Sequence, residues 1–452
     1  MSASASHTDY LAFLERLRAR ERYEPVARSR GKEKLAGILR LLEVLGHPER
    51  AFRVVHVAGT NGKGMTAAMV ARLLAGAGRR VGVYCSPHLL DIRERIMLRG
   101  RPIAKQAFHA AGGTVLDAAE RLERKERLDL SYFDLLTAMG FLALQREGVA
   151  WAVLEVGLGG FSDATNITDK DLCILTCIGL DHMGVLGKDL RSIAEQKLGI
   201  LRPGVPTIVA PQPEELQPWL NRRAAELGGT VMAADPAPLE IIVRGLGHAS
   251  SEPWPRGRVP APRMACAATA LAAAELLLGP VQGQALQARL RRALHTPVPG
   301  RLEYRENVAL RRHGGPPFRK VVLDGGHNAP ALQALTDQLA LWGISGYSLI
   351  FGMQKDKLSQ PVRKPLARLL AEAKQVITLA PATPRAPATE ELHDFLAGVL
   401  KGHAAAPPLL ACPGPREALL AAARHPGRPL VAAGSFWMLG DLMKQLKSAH
   451  QR

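Results

Sequence analysis

The sequence predicts an α/β protein of two parallel-sheet domains, and three observations carry that expectation. From residue 53 onward, short β-branched runs alternate with stretches of helical periodicity. Each run ends in a glycine-rich or polar turn, the pattern of βαβ units. The alternation then restarts after a proline-flanked connection, His295 to Gly300 (HTPVPG), which favours a stiff, extended hinge. A chain of 452 residues exceeds what one hydrophobic core usually covers, so domains over 1–296 and 301–452 are expected.

Residues 1–50 read as amphipathic helices, with Tyr10, Phe13, Leu14 and Leu17 at helical spacing, then Leu35, Ile38, Leu41 and Leu42. Arg53 to Ala58 (RVVHVA) reads as a strand, followed by a helix from about Met65 to Ala77 and a strand over Arg80 to Tyr84. Further on, helices are expected over Ser131 to Arg146 and Leu190 to Leu198. Strands are expected over Ala150 to Val156, Leu172 to Ile178 and Thr207 to Ala210. A segment rich in Pro, Gly and Arg (235–262) precedes an Ala-rich helix. The second series has strands near Lys320 to Leu323, Ser348 to Phe351, Gln375 to Leu379 and Pro429 to Ala433.

Composition excludes several classes. The first residues lack the basic-then-apolar order of a signal peptide, and no uncharged apolar run reaches the roughly 20 residues of a bilayer span. Met264 to Leu278 comes closest, but it carries Glu275 and reads as a buried helix. Five cysteines with no CxxC pair argue against a disulfide framework and against a zinc knuckle, so a cytoplasmic, reducing compartment is expected. The net charge of +18 would suit a polyanion. Its basic residues are scattered, however, and aromatics make up only 5%, so no nucleic-acid partner is expected. A monomer is the default expectation.

The strongest local signal is Val57 to Met65 (VAGTNGKGM), a glycine turn between a strand and a helix. Such a turn lets backbone N–H groups approach phosphate oxygens, the helix N-terminus adds a positive dipole, and Lys63 can reach the outer phosphates. The candidate nucleotide residues are therefore Gly59, Thr60, Asn61, Gly62, Lys63, Gly64 and Met65. The spacing departs from a strict Walker A motif, and Met65 stands where a Ser or Thr would offer magnesium a hydroxyl. Ser86 in SPHL and His182 in the DH pair follow predicted strands, and Glu155 in EVGLGG stands at the end of one. They fall on the sheet edge where ligands bind in open α/β folds, and hydroxyl, carboxylate and imidazole there make an environment suited to Mg2+.

GTNGKG, SPHL, LSYFD (130–134), EVGLGG with DATN (155–166), IGLDH (178–182), EQKLGI (195–200), PGR (299–301) and DGGHN (324–328) stand in one order along the chain. In these eight motifs it resembles the folylpolyglutamate synthase and dihydrofolate synthase branch of the Mur ligase family, over roughly residues 50–440. The resemblance implies a P-loop-type ATPase domain with a parallel sheet, followed by a smaller Rossmann-like α/β domain. It implies ATP and Mg2+ as cofactors, with dihydropteroate or folate and L-glutamate as the other substrates. The activity it implies is formation of an acyl phosphate that the glutamate amine then captures. Lys63, Glu155, His182 and Lys197 would be catalytic, and Ser86, Glu155, His182 and a carbamylated Lys197 would hold the metal. Arg301 and Asp324 match positions that contact the nucleotide. Ser131, Tyr132, Phe133 and Asp134, with Ser162, Asp163 and Ala164, match regions that hold the pterin-bearing substrate.

Three departures stand out. Met65 lacks the loop hydroxyl, Cys266 occupies the position of a nucleotide-binding Asn, and Phe161-Ser162 replaces a common Arg-Leu pair. Two alternatives stay open on the sequence: a ligase for a different carboxylate and amine, and a nucleotide-binding relative that has lost catalysis.

Overall fold

The computed structural model describes residues 7–21, 35–245, 254–255, 258–311, 315–403, 406–425 and 427–448. Most of 246–257, the centre of the Pro/Gly/Arg-rich segment, therefore lies outside the described residues. The chain divides into two compact units: Met1–Ile241 with Met264–Thr296, and Ile242–Arg263 with Pro297–Arg452.

The first unit holds eight strands: β1 (Arg53–Ala58), β2 (Val81–Tyr84), β3 (Ile96–Leu98), β4 (Arg101–Pro102), β5 (Trp151–Glu155), β6 (Leu172–Leu175), β7 (Pro206–Val209) and β8 (Thr230–Ala233). They form one sheet in the order β4-β3-β2-β5-β1-β6-β7-β8. It is parallel from β2 to β8, with β3 and β4 added antiparallel at one edge. Strands buried on both faces read as continuous apolar runs; β5 (WAVLE) and β6 (LCIL) are buried throughout. One core cluster joins Val54, Tyr84, Ala152 and Leu154 to helices Ala36–Val44, Lys105–Glu126 and Tyr132–Arg146. Another joins Cys173, Leu175 and Val209 to helices Leu190–Leu198 and Gln217–Glu226. Helix Lys105–Glu126 was not expected from sequence. Its Gly112 admits the first helix, because a Cβ there would lie 2.3 Å from the Phe13 ring.

The second unit holds β9 (Glu303–Leu310), β10 (Phe318–Asp324), β11 (Tyr347–Phe351), β12 (Ala373–Thr378), β13 (Leu409–Ala411), β14 (Leu430–Ala433) and β15 (Leu446–Ser448). The order is β13-β12-β11-β14-β10-β9-β15, with parallel pairing from β13 to β10 and β9 alone running the opposite way, antiparallel to both β10 and β15. A purely sequential division at the hinge omits one excursion, because part of 242–263 groups with this second unit. The physical tie is the Arg258 carbonyl, which accepts hydrogen bonds from Trp342 Nε1 (3.0 Å) and Gln338 Nε2 (3.4 Å). The Ala-rich helix, Ala261–Leu278, is long and apolar enough to cross a membrane by length and composition; 56% of it is buried within the fold.

Candidate active site

The glycine turn after β1 does two separate jobs. Its first half is anchored: Thr60 and Asn61 donate their N–H groups to the Cys177 carbonyl at 2.9 and 3.1 Å. Thr60 Oγ1 also donates to Gly179 O and accepts from Gly179 N, each at 3.1 Å. Gly59 has φ 148°, and a Cβ there would sit 1.8 Å from Thr176 Oγ1, so only glycine passes between the two segments. The second half opens helix Lys63–Gly76 from Gly62, which is left-handed at φ 89°. The first-turn N–H groups of Lys63, Gly64 and Met65 have no intrahelical acceptor, and they define the end of the loop suited to phosphate. Lys63 folds over the turn, its Nζ 3.2 Å from Thr60 O.

Glu155, at the end of β5, faces that helix start. It is 3% exposed, and a Cβ on Gly64 would lie 3.1 Å from Glu155 Oε2. The same oxygen accepts the Ser86 N–H at 3.1 Å. Lys197 arrives from the opposite side on helix Leu190–Leu198, and its Nζ donates to Gly59 O at 2.8 Å. The amine is buried, and its pKa is pushed down to about 7, chiefly by loss of solvent and then by the charge of Lys63; Asp181 and Asp163 oppose the shift. His182 has φ 50°, in the left-handed region that non-glycine residues rarely adopt. It takes that conformation where the chain enters the short helix Met183–Leu186, and its N–H donates to Asp181 Oδ1 at 2.8 Å. Lys63, Ser86, Glu155 and Lys197 are thus joined around the phosphate loop, with His182 linked through Asp181. Among the described residues, no group of three or more His, Cys, Asp or Glu is close enough to hold a metal ion by itself.

The expected substrate segments spend much of their polarity on their own backbone. Ser131 and Asp134 form a reciprocal cap on helix Tyr132–Arg146: Ser131 Oγ accepts from Asp134 N (3.1 Å), and Asp134 Oδ2 accepts from Ser131 N (2.9 Å). Phe133 packs against Gly157, where a Cβ would lie 2.5 Å from its ring, and stands 6.3 Å from the Tyr84 ring. Tyr132 is half-buried, which moves its hydroxyl pKa up to about 12. Asp163 is 4% exposed and accepts N–H groups from Leu158 (2.9 Å) and Thr165 (3.0 Å). Ala164 is buried, Ser162 half-buried, and Phe161 stands out at 48% exposure.

Of the departures, Cys266 lies against the loop, its Sγ 3.7 Å from Gly62 O, and a Cβ on Gly62 would come within 2.9 Å of that sulfur. Met65 is buried. Thr66, its neighbour, is fully buried, and its hydroxyl meets no partner among the described residues. In the second unit, Asp324 at the end of β10 accepts from Leu302 N and Gly326 N, each at 2.7 Å. Burial raises its pKa, against the lowering influence of Arg301 and those two hydrogen bonds. The Arg301 guanidinium lies 4.0 Å over the Phe436 ring. Two further buried polar side chains beside the loop, His56 and Thr165, were not singled out from the sequence. A histidine inside an otherwise apolar strand was the available signal.

A phosphate loop in one parallel unit, followed by a second mostly parallel α/β unit, defines the two-domain architecture of Mur-type acid–amino-acid ligases. Comparison with known proteins narrows the class. Dihydrofolate synthase/folylpolyglutamate synthase of Bacillus subtilis (strain 168) is 31% identical over 388 residues, covering 80% of this chain and 84% of that protein. The protein of the same name from Escherichia coli (strain K12) is 32% identical over 314 residues, 67% of this chain and 68% of its own length. Among solved structures, Mycobacterium tuberculosis folylpolyglutamate synthase complexed with ADP superimposes with a TM-score of 0.78 at 25% identity, covering 96% of this chain and 97% of that one. E. coli FolC in complex with DHPP and ADP gives 0.73 at 27% identity, with 96% and 97% coverage. No family model matches the chain. The chain belongs to the dihydrofolate synthase/folylpolyglutamate synthase family.

Proposed function

We propose that the chain ligates L-glutamate to a folate-type carboxylate, dihydropteroate or a reduced folate, with the chemistry at the phosphate-loop edge of its first unit. As a member of this family it is an ATP-dependent acid–amino-acid ligase. The observation that carries the placement is the meeting of Lys63, Glu155 and Lys197 around Gly59 to Gly64.

The residues present fit a magnesium ion. Mg2+ typically binds through one or two carboxylates plus substrate phosphate oxygens and waters, so a single buried carboxylate, Glu155, beside Ser86 and the loop suffices without a larger acidic cluster. Glu155 and Ser86 would hold it, joined by His182 and by Lys197 once carbamylated. Bound there, it would neutralise phosphate charge during transfer.

The chain's own groups supply the rest. The first-turn N–H groups and Lys63 hold the triphosphate for in-line attack by the substrate carboxylate. The amine of glutamate then displaces phosphate from the acyl phosphate. With a pKa near 7, the Lys197 amine is substantially neutral at physiological pH and so competent to accept CO2. A cytoplasmic, monomeric enzyme acting on small molecules, without nucleic-acid or membrane partners, completes the reading.

Incubation with ATP, Mg2+ and glutamate, with dihydropteroate or tetrahydrofolate supplied separately, tests this. A product one glutamate heavier is expected with at least one of them. Phosphate release without amide formation from either would refute it.

A further inference from the structure

Beneath the glycine loop that follows Glu155 lies a chain of buried polar groups that the proposed chemistry leaves unused. His56 projects from β1, three residues before the phosphate loop, and is 0% exposed. Its Nε2 lies 2.8 Å from Thr165 Oγ1, and Thr165 Oγ1 donates to Asp163 Oδ1 at 2.5 Å. Asp163 Oδ2 in turn accepts the Leu158 N–H, within the Gly157–Gly160 turn. All three side chains are buried.

The proton positions follow from valence. A threonine hydroxyl has one proton, and here it goes to the carboxylate. His56 must therefore donate from Nε2, which fixes its tautomer and leaves Nδ1 as a bare acceptor. That Nδ1 is buried and meets no partner among the described residues. Burial, with the charges of Lys170 and Arg202, holds the imidazole well below its usual pKa, so it stays neutral. An unsatisfied buried nitrogen is costly, and a purely structural position would be better filled by an apolar side chain.

We infer that His56 is a positioning residue for the ligase reaction: its Nε2–H, relayed through Thr165 to Asp163, fixes the glycine turn that carries substrate past Glu155. This rests on the ligase reading above and deepens it. His56 touches neither nucleotide nor reacting atoms; it acts by orienting the acceptor that holds the turn. Asp163 thereby serves the substrate pocket mainly as the turn's internal anchor.

The test uses the full chain with His56→Leu, His56→Gln, Thr165→Val, Thr165→Ser and the double variant His56→Leu/Thr165→Val. Glutamine keeps an N–H donor at the reach of Nε2, and serine keeps the hydroxyl. Leu and Val are expected to lower kcat/KM for the folate-type carboxylate by roughly tenfold to 100-fold, as misplacement of a substrate-bearing element does. KM for ATP should stay within about twofold. Gln and Ser should restore most of the loss, and the double variant should lose no more than the worse single variant. Unchanged kcat/KM in both apolar variants, a parallel rise in KM for ATP, or additive losses would overturn the relay. Independently of activity, the 15N shifts of His56 should report the Nε2–H tautomer in the wild type and a changed Nε2 environment in Thr165→Val. An Nδ1–H tautomer would refute the relay even if the ligase reading stands. Absence of glutamylated product in the wild type would refute the ligase reading while the tautomer measurement still decides the relay.

Discussion

Replacing Lys197 with Met is expected to abolish ligation while making the first unit more stable, and the stability gain has a defined pH window. Lys197 is 4% exposed, so little solvent screening intervenes. Its folded pKa is about 7, against an ordinary lysine value of 10.5. Below pH 7 both folded and unfolded states carry the proton, and burying the charged amine costs the full shift, about 5 kcal/mol at roughly 1.36 kcal/mol per unit. Between pH 7 and 10.5 the unfolded chain binds more protons than the folded one, so wild-type stability rises with pH and the cost vanishes near pH 10.5. Methionine has similar length and no charge, but it gives up the hydrogen bond to Gly59 O. That loss offsets about 1 kcal/mol. The variant should therefore be more stable by about 4 kcal/mol at pH 6 to 7, by about 2 near pH 8.5, and slightly less stable than wild type near pH 10.5. Denaturant unfolding in CO2-depleted buffer, followed by far-ultraviolet circular dichroism at those three pH values, measures the difference. A gap that is absent at pH 7, or that does not shrink with rising pH, would show that the amine is not buried in the way described.

Gly59→Ala should destabilise the first unit by roughly 2–4 kcal/mol, through overpacking against Thr176 and a disfavoured backbone angle. Partial recovery on adding Thr176→Ala, followed by thermal unfolding, would confirm the clash. Glu155→Gln should retain the fold and lower kcat by about 100-fold or more, because a neutral amide in that place cannot balance metal and phosphate charge; phosphate release assays read it. Asp324→Ala should leave the N–H groups of Leu302 and Gly326 unsatisfied and cost the second unit about 2–5 kcal/mol in calorimetry.

How much of this could be read in advance depended on burial. β1, β5 and β6 lie in the middle of the sheet with both faces covered, so their residues are mostly apolar, and the expected bounds agree with the structure to within three residues. The strands that went unexpected are short or partly polar, and most lie at or next to a sheet edge. β4 has two residues, both exposed, and β9 (EYRENVAL) leaves its middle in solvent while pairing antiparallel. Antiparallel edge pairing makes no demand on composition comparable to that of a central parallel strand. Helix Leu190–Leu198 was legible because Asp189 caps it and its apolar spacing is regular.

The site divides along the same physical line. Lys63, Ser86 and Glu155 were expected from their residue types at a loop and at strand ends, and Lys197, which lies on a helix, from the family resemblance alone. The structure brings them together through main-chain partners, Thr60 O, Gly59 O and the Ser86 N–H, that no sequence motif names. The motif residues expected to touch substrate behave differently. Ser131, Asp134 and Asp163 direct their polar atoms into a helix cap and a buried turn. A motif records every residue a pocket needs, whether it contacts the ligand or shapes the backbone around it, and sequence order alone does not separate the two. Hydrogen-bond direction does. A carboxylate whose oxygens accept N–H groups of its own loop is arranged first to build that loop, and its removal should disturb binding through geometry. Phe161 has the opposite signature: its backbone is held by Gln196 O and Asn166 Nδ2 while its side chain stands in solvent. Of the residues in that segment, it is the one whose replacement should alter substrate preference without altering stability, and comparing KM for dihydropteroate with KM for tetrahydrofolate in Phe161→Arg measures that directly. A loss of stability beyond about 0.5 kcal/mol would instead place its ring in the packing of the 196–199 turn.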